Sequence, residues 1–312
     1  MKIYFLLPLA LLFGCRCVKS YNNNVQNGKQ LLKDVEVLSS DSYEGRKVGT
    51  KGAEKARKYI ESRFKKIGLL PLPTLGKYEQ EFTFKDNTDK LVTGKNVLGY
   101  LPGKTEEIMV ISAHYDHLGI INNELYNGAD DNASGIAGIL KIAAYYAKSK
   151  PNKTLVFAAF DAGEQEWKGS KAFVANPPVE LSKIALNINL DMISHNDHGI
   201  LYAAGTFQHP ELRSYITYTN PDLKILFGHD NPKQSVDDWT NQSDQGSFAA
   251  VHIPFIYFGV EDHKDYHKPT DKMENINQTF FQNAANAILE IVENFDKGYS
   301  MESAFRQRLK SR

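Results

Sequence analysis

The sequence predicts an α/β fold, a three-layer α/β/α sandwich whose mostly parallel central sheet is covered by helices on both faces. Three observations carry that prediction. Strand-like and helix-like patterns alternate through most of the chain. The runs Ile108 to Ser112, Thr154 to Phe160 and Ile184 to Leu190 are almost continuously apolar, as strands buried on both faces must be. Each of these runs delivers polar residues just past its end: His114, then Gly163-Glu164, then Asp191. Ligands of open α/β sheets collect beyond the strands' C-terminal ends, so the predicted fold gathers these residues at one edge.

The elements follow in order. Lys29 to Leu38 reads as a helix, and the glycine-punctuated stretch from Ser39 to Thr50 reads as a loop. A long amphipathic helix comes next, with Ala53, Ala56, Ile60, Phe64 and Ile67 on one stripe, closed by Gly68 and Pro71. Alternation marks Glu79 to Phe84 as a half-exposed strand, and Asn96 to Leu101 is a second strand closed by Pro102-Gly103. Between the Ile108 and Thr154 strands lies the run Asn122 to Ile136, containing Gly128-Ala129-Asp130-Asp131-Asn132-Ala133-Ser134-Gly135, which opens into a helix with Ile136, Ile139, Leu140, Ala143 and Ala147 inward. Later elements are strands at Gly199 to Ala204, Leu223 to Phe227 and Pro254 to Phe258, a helix at Pro210 to Thr217, and a closing helix from Gln278 to Phe295. No internal repeat and no second domain boundary is visible, so residues 29–298 form one predicted domain and 299–312 a peripheral tail.

Composition bounds the function. The 312 residues carry equal numbers of acidic and basic side chains, 37 each, which gives no reason to expect nucleic acid or an anionic membrane surface as a partner, since either would favour a basic face. Residues 1–14 combine a basic start with a short apolar run and read as a lipoprotein-type signal peptide. Leu12-Phe13-Gly14-Cys15 resembles a lipobox, with Cys15 as the lipid-bearing residue and 15–28 as a tether, so a membrane is expected only through that anchor, in a bacterial cell envelope. Cys15 and Cys17 are the only cysteines; the domain itself therefore has no disulfide or thiolate ligand.

Imidazoles and carboxylates instead recur at element ends: His114, Asp131, Glu164, Asp191 and His267. Zinc accepts both donor types. Two ions held ~3.5 to 4 Å apart by a shared carboxylate clamp a carbonyl and bring the pKa of a bridging water to about 7, and five side chains suffice when one carboxylate bridges.

The motifs His114-Tyr115-Asp116-His117, Gly128 to Gly135, Asn189-Leu190-Asp191-Met192-Ile193 and Tyr266-His267-Lys268-Pro269-Thr270-Asp271, in that order, resemble those of the co-catalytic dizinc aminopeptidases, the bacterial leucyl aminopeptidase and aminopeptidase Y type. The Ser40 to Arg46 loop and Asn96 to Gly103 are similar to that family as well, so the likeness covers roughly residues 30–295. The resemblance implies two zinc ions, with His114 and Asp191 each binding one side of the pair, Asp131 bridging, and Glu164 and His267 completing the set. It also implies that Asp116 orients His114 and that Tyr266 hydrogen-bonds the developing oxyanion. The function it implies is a metal-dependent exopeptidase that removes N-terminal residues from peptide substrates.

One position departs from the pattern. Counting back from Gly169-Ser170, Gly163 stands where the family has its general-base Glu, which leaves Glu166 or Asp161 as possible substitutes. Two other readings follow: a catalytically impaired homologue that binds peptides, favoured by Gly163, and a glutaminyl cyclase, which uses one zinc and is disfavoured by the retention of His114 with Asp116. His117, His195, His198, His209, His229, His252 and His263 are read as ordinary surface or loop histidines, with His195 and His263 possible cleft residues. Asp130 and Asn132 are expected to shape the turn around Asp131. Ser243-Asp244 is expected to cap a helix or approach the cleft, and Trp239 and Phe248 to shape a pocket or the core.

Overall fold

Residues 28–233 and 237–303 are described by the computed structural model. The signal peptide, the lipid-bearing Cys15 and nearly all of the tether lie outside the described residues, as do residues 304–312 of the tail. Ten strands are present among the described residues: β1 (Glu79–Lys85), β2 (Leu91–Leu101), β3 (Ile108–His114), β4 (Gly119–Ile121), β5 (Glu124–Tyr126), β6 (Thr154–Phe160), β7 (Ile184–Leu190), β8 (Ile200–Ala204), β9 (Lys224–Phe227) and β10 (Phe255–Gly259). Eight of them form one sheet in the order β1-β2-β6-β3-β7-β10-β8-β9, and β4-β5 is a separate hairpin.

The centre of the sheet is parallel: β6 with β3, β3 with β7, and β7 with β10. Antiparallel pairing joins β1 to β2, β2 to β6 and β8 to β10, and β8 and β9 are again parallel. The mostly parallel sheet predicted from the buried runs is therefore present, with its antiparallel pairs toward the margins.

The helices are α1 (28–38), α2 (Lys51–Ile67), α3 (Gly135–Tyr146), α4 (Lys168–Ala175), α5 (Gln245–Ala249) and α6 (Gln278–Gly298). Local chemistry sets their ends. The Thr50 hydroxyl accepts from the amide of Ala53 to start α2, and Gly68, at φ 97°, closes it with a left-handed turn whose amide bonds back to Phe64 and Lys65. Asn277 caps α6 by accepting from the amide of Phe280.

Alternation along the buried strands assigns the layers. Met109, Ile111 and Ala113 of β3, with Leu155, Phe157 and Ala159 of β6, face a cluster shared with α1, α2, α3 and α6. Ile108 and Val110, with Val156, Ala158 and Phe160, face the other way, onto Phe173 of α4 and Phe248 of α5. The period-two geometry of a strand sends neighbouring residues to opposite faces, so a continuously apolar run becomes the middle layer of three.

The differences from the sequence-based expectations are local. Pro210–Tyr215 is a 3-10 turn rather than a helix to Thr217. The helices α4 and α5 and the β4-β5 hairpin carry weak apolar periodicity and were not predicted. Tyr299, predicted to begin the tail, is buried, packing its ring against Tyr215 and Phe295.

Because β6, β3, β7 and β10 run parallel and side by side, their C-terminal ends line one edge and present in turn the Asp161–Glu164 turn, His114, Asp191 and the loop from Val260 to His267. Phe157 lies under this edge with no solvent exposure. Phe157→Ala is expected to cost about 3–5 kcal/mol through lost burial and the cavity left behind, measured by chemical denaturation.

Candidate metal centre

The centre is built around Asp131, whose carboxylate is buried and faces two ways. Oδ1 lies 3.3 Å from Nε2 of His114, and Oδ2 lies 3.0 Å from Nε2 of His267. Nε2 of His114 is also 3.3 Å from Oδ1 of Asp191, and Nε2 of His267 is 3.4 Å from Oε2 of Glu164. All five residues singled out from the sequence thus converge, with Asp131 between a His114–Asp191 side and a Glu164–His267 side.

The backbone of the Asp131 loop is held by groups that do not face the cleft. Asp271 accepts from the amides of Asp130 and Asp131 at 2.8 and 3.0 Å. Arg46, fully buried, donates to the carbonyls of Leu38, Tyr115, Asn127 and Gly128, tying the early Ser39 to Arg46 loop to the end of β3 and to the start of the Asp131 turn. Burial lowers the Arg46 pKa to about 10, with Asp271 and Asp131 opposing that shift. Asp130 accepts from the amide and hydroxyl of Ser194 and lies 3.0 Å from Nε2 of His263, while Asn132 donates to the carbonyl of Leu190. Both shape the turn, as expected, and the Asp131–Asn132 peptide is cis.

Asp116 buttresses both neighbouring strand ends. Its carboxylate accepts from the amides of Gly163 and Glu164, and its Oδ1 lies 3.6 Å from Nδ1 of His114. Ser243 donates to Oδ2 of Asp191 at 2.6 Å. The helix-cap expectation for Ser243-Asp244 is not met, since Asp244 precedes α5 without a side-chain cap bond.

The donor set fits divalent cations. His114, Asp131 and Asp191 present ligand atoms within 4.8 Å of one another, and so do His117, Asp131 and Glu164. Oδ1 of Asp191 is buried with no hydrogen-bond partner among the described residues, an acceptor that suits a cation. Charges respond to this crowding. Burial drives the Glu164 carboxyl well above the usual range, helped by Asp131. Burial also pushes Asp131 up, but His117, His114 and His267 outweigh it and hold it well below the usual range. For His114, burial lowers the pKa, yet Asp191, Asp116 and Asp131 together raise it well above normal.

Two sequence-based readings are corrected here. His117, read as a surface or loop histidine, is buried, with Nδ1 2.8 Å from Oε1 of Glu164. Its position three residues after His114 was the available signal, but only the turn after β3 brings the ring back into the centre. Glu166, offered as a substitute base, is exposed and paired with Lys168 at 3.0 Å. The other substitute, Asp161, is turned away as well: it accepts from the amides of Lys95 and Ala162 and lines a separate cavity with Arg57 and Tyr115.

The turn that carries Glu164 is strained and tight. Ala162, Glu166 and Trp167 all have positive φ, a conformation non-glycine residues rarely adopt. Gly163 packs directly on the His114 ring, so that a Cβ there would fall 2.5 Å from its Cγ. The cleft above is lined by Trp167, Trp239, Gln242, Tyr257, Asp262 and Tyr266, together with the donor residues. The Tyr266 ring stacks on His267 at 3.9 Å, and burial, assisted by Asp131 and Asp191, raises its pKa so that the phenol keeps its proton.

A three-layer sandwich with a carboxylate-bridged donor cluster at the C-terminal edge of its sheet defines a metallohydrolase-like protein. Residues 96–292 match Peptidase family M28, and the chain belongs to that family. It is 22% identical over 251 residues to aminopeptidase YwaD of Bacillus subtilis, covering 75% of this chain and 52% of that one. The chain spans about a quarter to a half of the length of the first curated relatives it matches. Among solved structures it superposes on an aminopeptidase from Aneurinibacillus with a TM-score of 0.68 at 17% identity, over 85% of this chain and 93% of that one. A glutaminyl cyclase from Bacteroides thetaiotaomicron superposes equally well, with a TM-score of 0.69 at 16% identity, over 86% and 97%. The fold is thus common to both.

Two predictions come from these contacts. Gly163→Ala is expected to displace the His114 imidazole and weaken divalent-cation binding at least tenfold, by calorimetric titration of the metal-stripped chain. Burial also pushes the Asp244 carboxyl up to about 7, against the lowering pull of His114 and Ser170. A carboxyl raised in the folded state favours folding while it is protonated, and that contribution is lost as pH rises from about 4 to about 7. Burial likewise raises Asp161 to about 7 and Asp271 to about 6. The metal-stripped chain should therefore lose thermal stability across that window, and Asp244→Asn should flatten the fall without abolishing it.

Proposed function

We propose that the protein is a metal-dependent exopeptidase, an aminopeptidase that holds two zinc ions and removes N-terminal residues from peptides. The observation that carries this reading is the Asp131 carboxylate, with one oxygen turned to His114 and the other to His267. When bound, zinc supplies a Lewis acid for the scissile carbonyl and lowers the pKa of water. His114, Asp131 and Asp191 would hold one ion, and Glu164 and His267 with Asp131 the other. Asp116 keeps the His114 ring and the Glu164 backbone in place.

The remaining steps belong to cleft residues. Tyr266 keeps its phenolic proton and donates it as a hydrogen bond to the oxygen that gains charge during attack. Trp167 and Trp239 offer aromatic surface to the substrate's first side chain. Among the described residues, Asp262 is the one cleft carboxylate outside the donor cluster, and no Lys or Arg lines the cavity. That charge balance suits a peptide's terminal ammonium rather than its terminal carboxylate, which favours aminopeptidase over carboxypeptidase action. The anchor reading of Leu12 to Cys15 supports a lipid-attached cell-envelope protein that meets peptide substrates there.

Gly163 limits the rate. A general base contributes about 10²- to 10⁴-fold, and neither Glu166 nor Asp161 faces the cleft, so turnover should be slow by that order. This favours a second reading, a peptide-binding homologue with negligible turnover. A glutaminyl cyclase, which uses one zinc, would bind a single ion.

Aminoacyl chromogenic substrates decide among these with the zinc-loaded chain. Slow, chelator-sensitive release is the expected result, and Asp262→Asn should raise KM for free-amine substrates several-fold. No release, together with tight peptide binding, would replace the enzyme reading with the binding one. Gly163→Glu is expected to lower cation binding rather than restore turnover, because the new Cβ collides with His114.

A further inference from the structure

His117 lies at the heart of the donor cluster yet outside the five-residue set. Its side chain is buried, with Nδ1 2.8 Å from Oε1 of Glu164 and 3.7 Å from Oδ2 of Asp131. Its ring meets that of His267 edge-on, with centroids 5.9 Å apart. Its Nε2 is buried with no hydrogen-bond partner among the described residues.

The chain makes specific room for this ring. Gly128, at φ +59°, sits directly against it, so that a Cβ there would fall 2.6 Å from Cγ and Cδ2 of His117 and 2.1 Å from the carbonyl oxygen of Asp131. The first glycine of the Asp131 motif thus serves both the turn and the imidazole. A buried imidazole with one orphaned nitrogen is costly to keep for packing alone, since an apolar ring of similar size would carry no such penalty. Its other nitrogen and the carboxylate oxygens of Asp131 and Glu164 all lie within 4.8 Å of one another.

We propose that His117 is a further metal ligand, its Nδ1 joining Asp131, Glu164 and His267 around one cation. This rests on the metallopeptidase reading above and refines it. His117 Nδ1 and Oε1 of Glu164, 2.8 Å apart, lie together with Asp131 as donors to one ion. The Glu164 side then has four protein donors and the His114 side three: His114, Asp131 and Asp191. Four donors is the number a structural zinc takes, whereas a catalytic zinc keeps a position open. The open position therefore falls on the His114–Asp191 side, the side on which Gly163 is packed, and the two ions bind with unequal strength.

The test is titration of the metal-stripped full chain with Co²⁺ and with Zn²⁺, followed by calorimetry and by the visible absorption of the cobalt form. Two binding steps are expected. His117→Ala should weaken the tighter step at least tenfold and change the absorption of the first cobalt equivalent, leaving the second step in place. His114→Ala should weaken the other step. A folded His117→Ala chain with both affinities and the spectrum unchanged overturns the proposal. If that variant does not fold, ¹⁵N spectra of the zinc-saturated unmutated chain decide: three metal-bound imidazoles support the assignment and two overturn it. Binding of two ions with only two bound imidazoles overturns the His117 assignment alone, whereas no ion bound by the unmutated chain overturns the metallopeptidase reading with it.

Discussion

One carboxylate facing two ways sets the terms for the rest of the molecule. Asp131 is useful as a bridge only if its backbone is rigid, because an error of about 1 Å at a donor undoes a site whose energetics depend on short charge contacts. The chain fixes it from behind. Asp271, far along the sequence, accepts the amides of Asp130 and Asp131, and Arg46, from the loop before α2, grips the carbonyl of Gly128. A fully buried guanidinium is costly unless its donors are satisfied, and Arg46 meets that cost with four carbonyls and nearby acids. Removing it would unpin three segments at once.

A second constraint is steric. Gly163 lies so close to the His114 ring that no side chain fits without movement, and the next left-handed residues, Glu166 and Trp167, swing the Glu166 carboxylate out to Lys168 while Trp167 turns to the cleft. At the position where the resemblance would put a general base, the change is therefore more than a missing carboxylate. The surrounding geometry has closed over the place where one would stand, which is why family membership and catalytic rate are separate questions for this chain. The charges beneath the cleft make the same point electrostatically: burial, with repulsion from Asp131, raises Glu164, whereas His117, His114 and His267 outweigh burial and lower Asp131.

The sequence by itself determined the layered fold and singled out five residues that the structure brings together at one edge of the sheet. The buried runs at β3, β6 and β7 can only be the inside of a covered sheet, and polar residues directly after them can only meet at its C-terminal edge; those are consequences of strand periodicity and parallel pairing, which act locally. Short elements escaped because they lack a period: α4 and α5 are eight and five residues long, and β4 and β5 three each. What only the tertiary structure decided were the distances between side chains remote in sequence. His117 looked like any loop histidine until the turn after β3 folded it under Gly128, and Glu166 looked available until the backbone of its turn aimed it at solvent. A side chain's direction depends on φ, ψ and packing contributed by other segments, and a linear pattern carries no record of those.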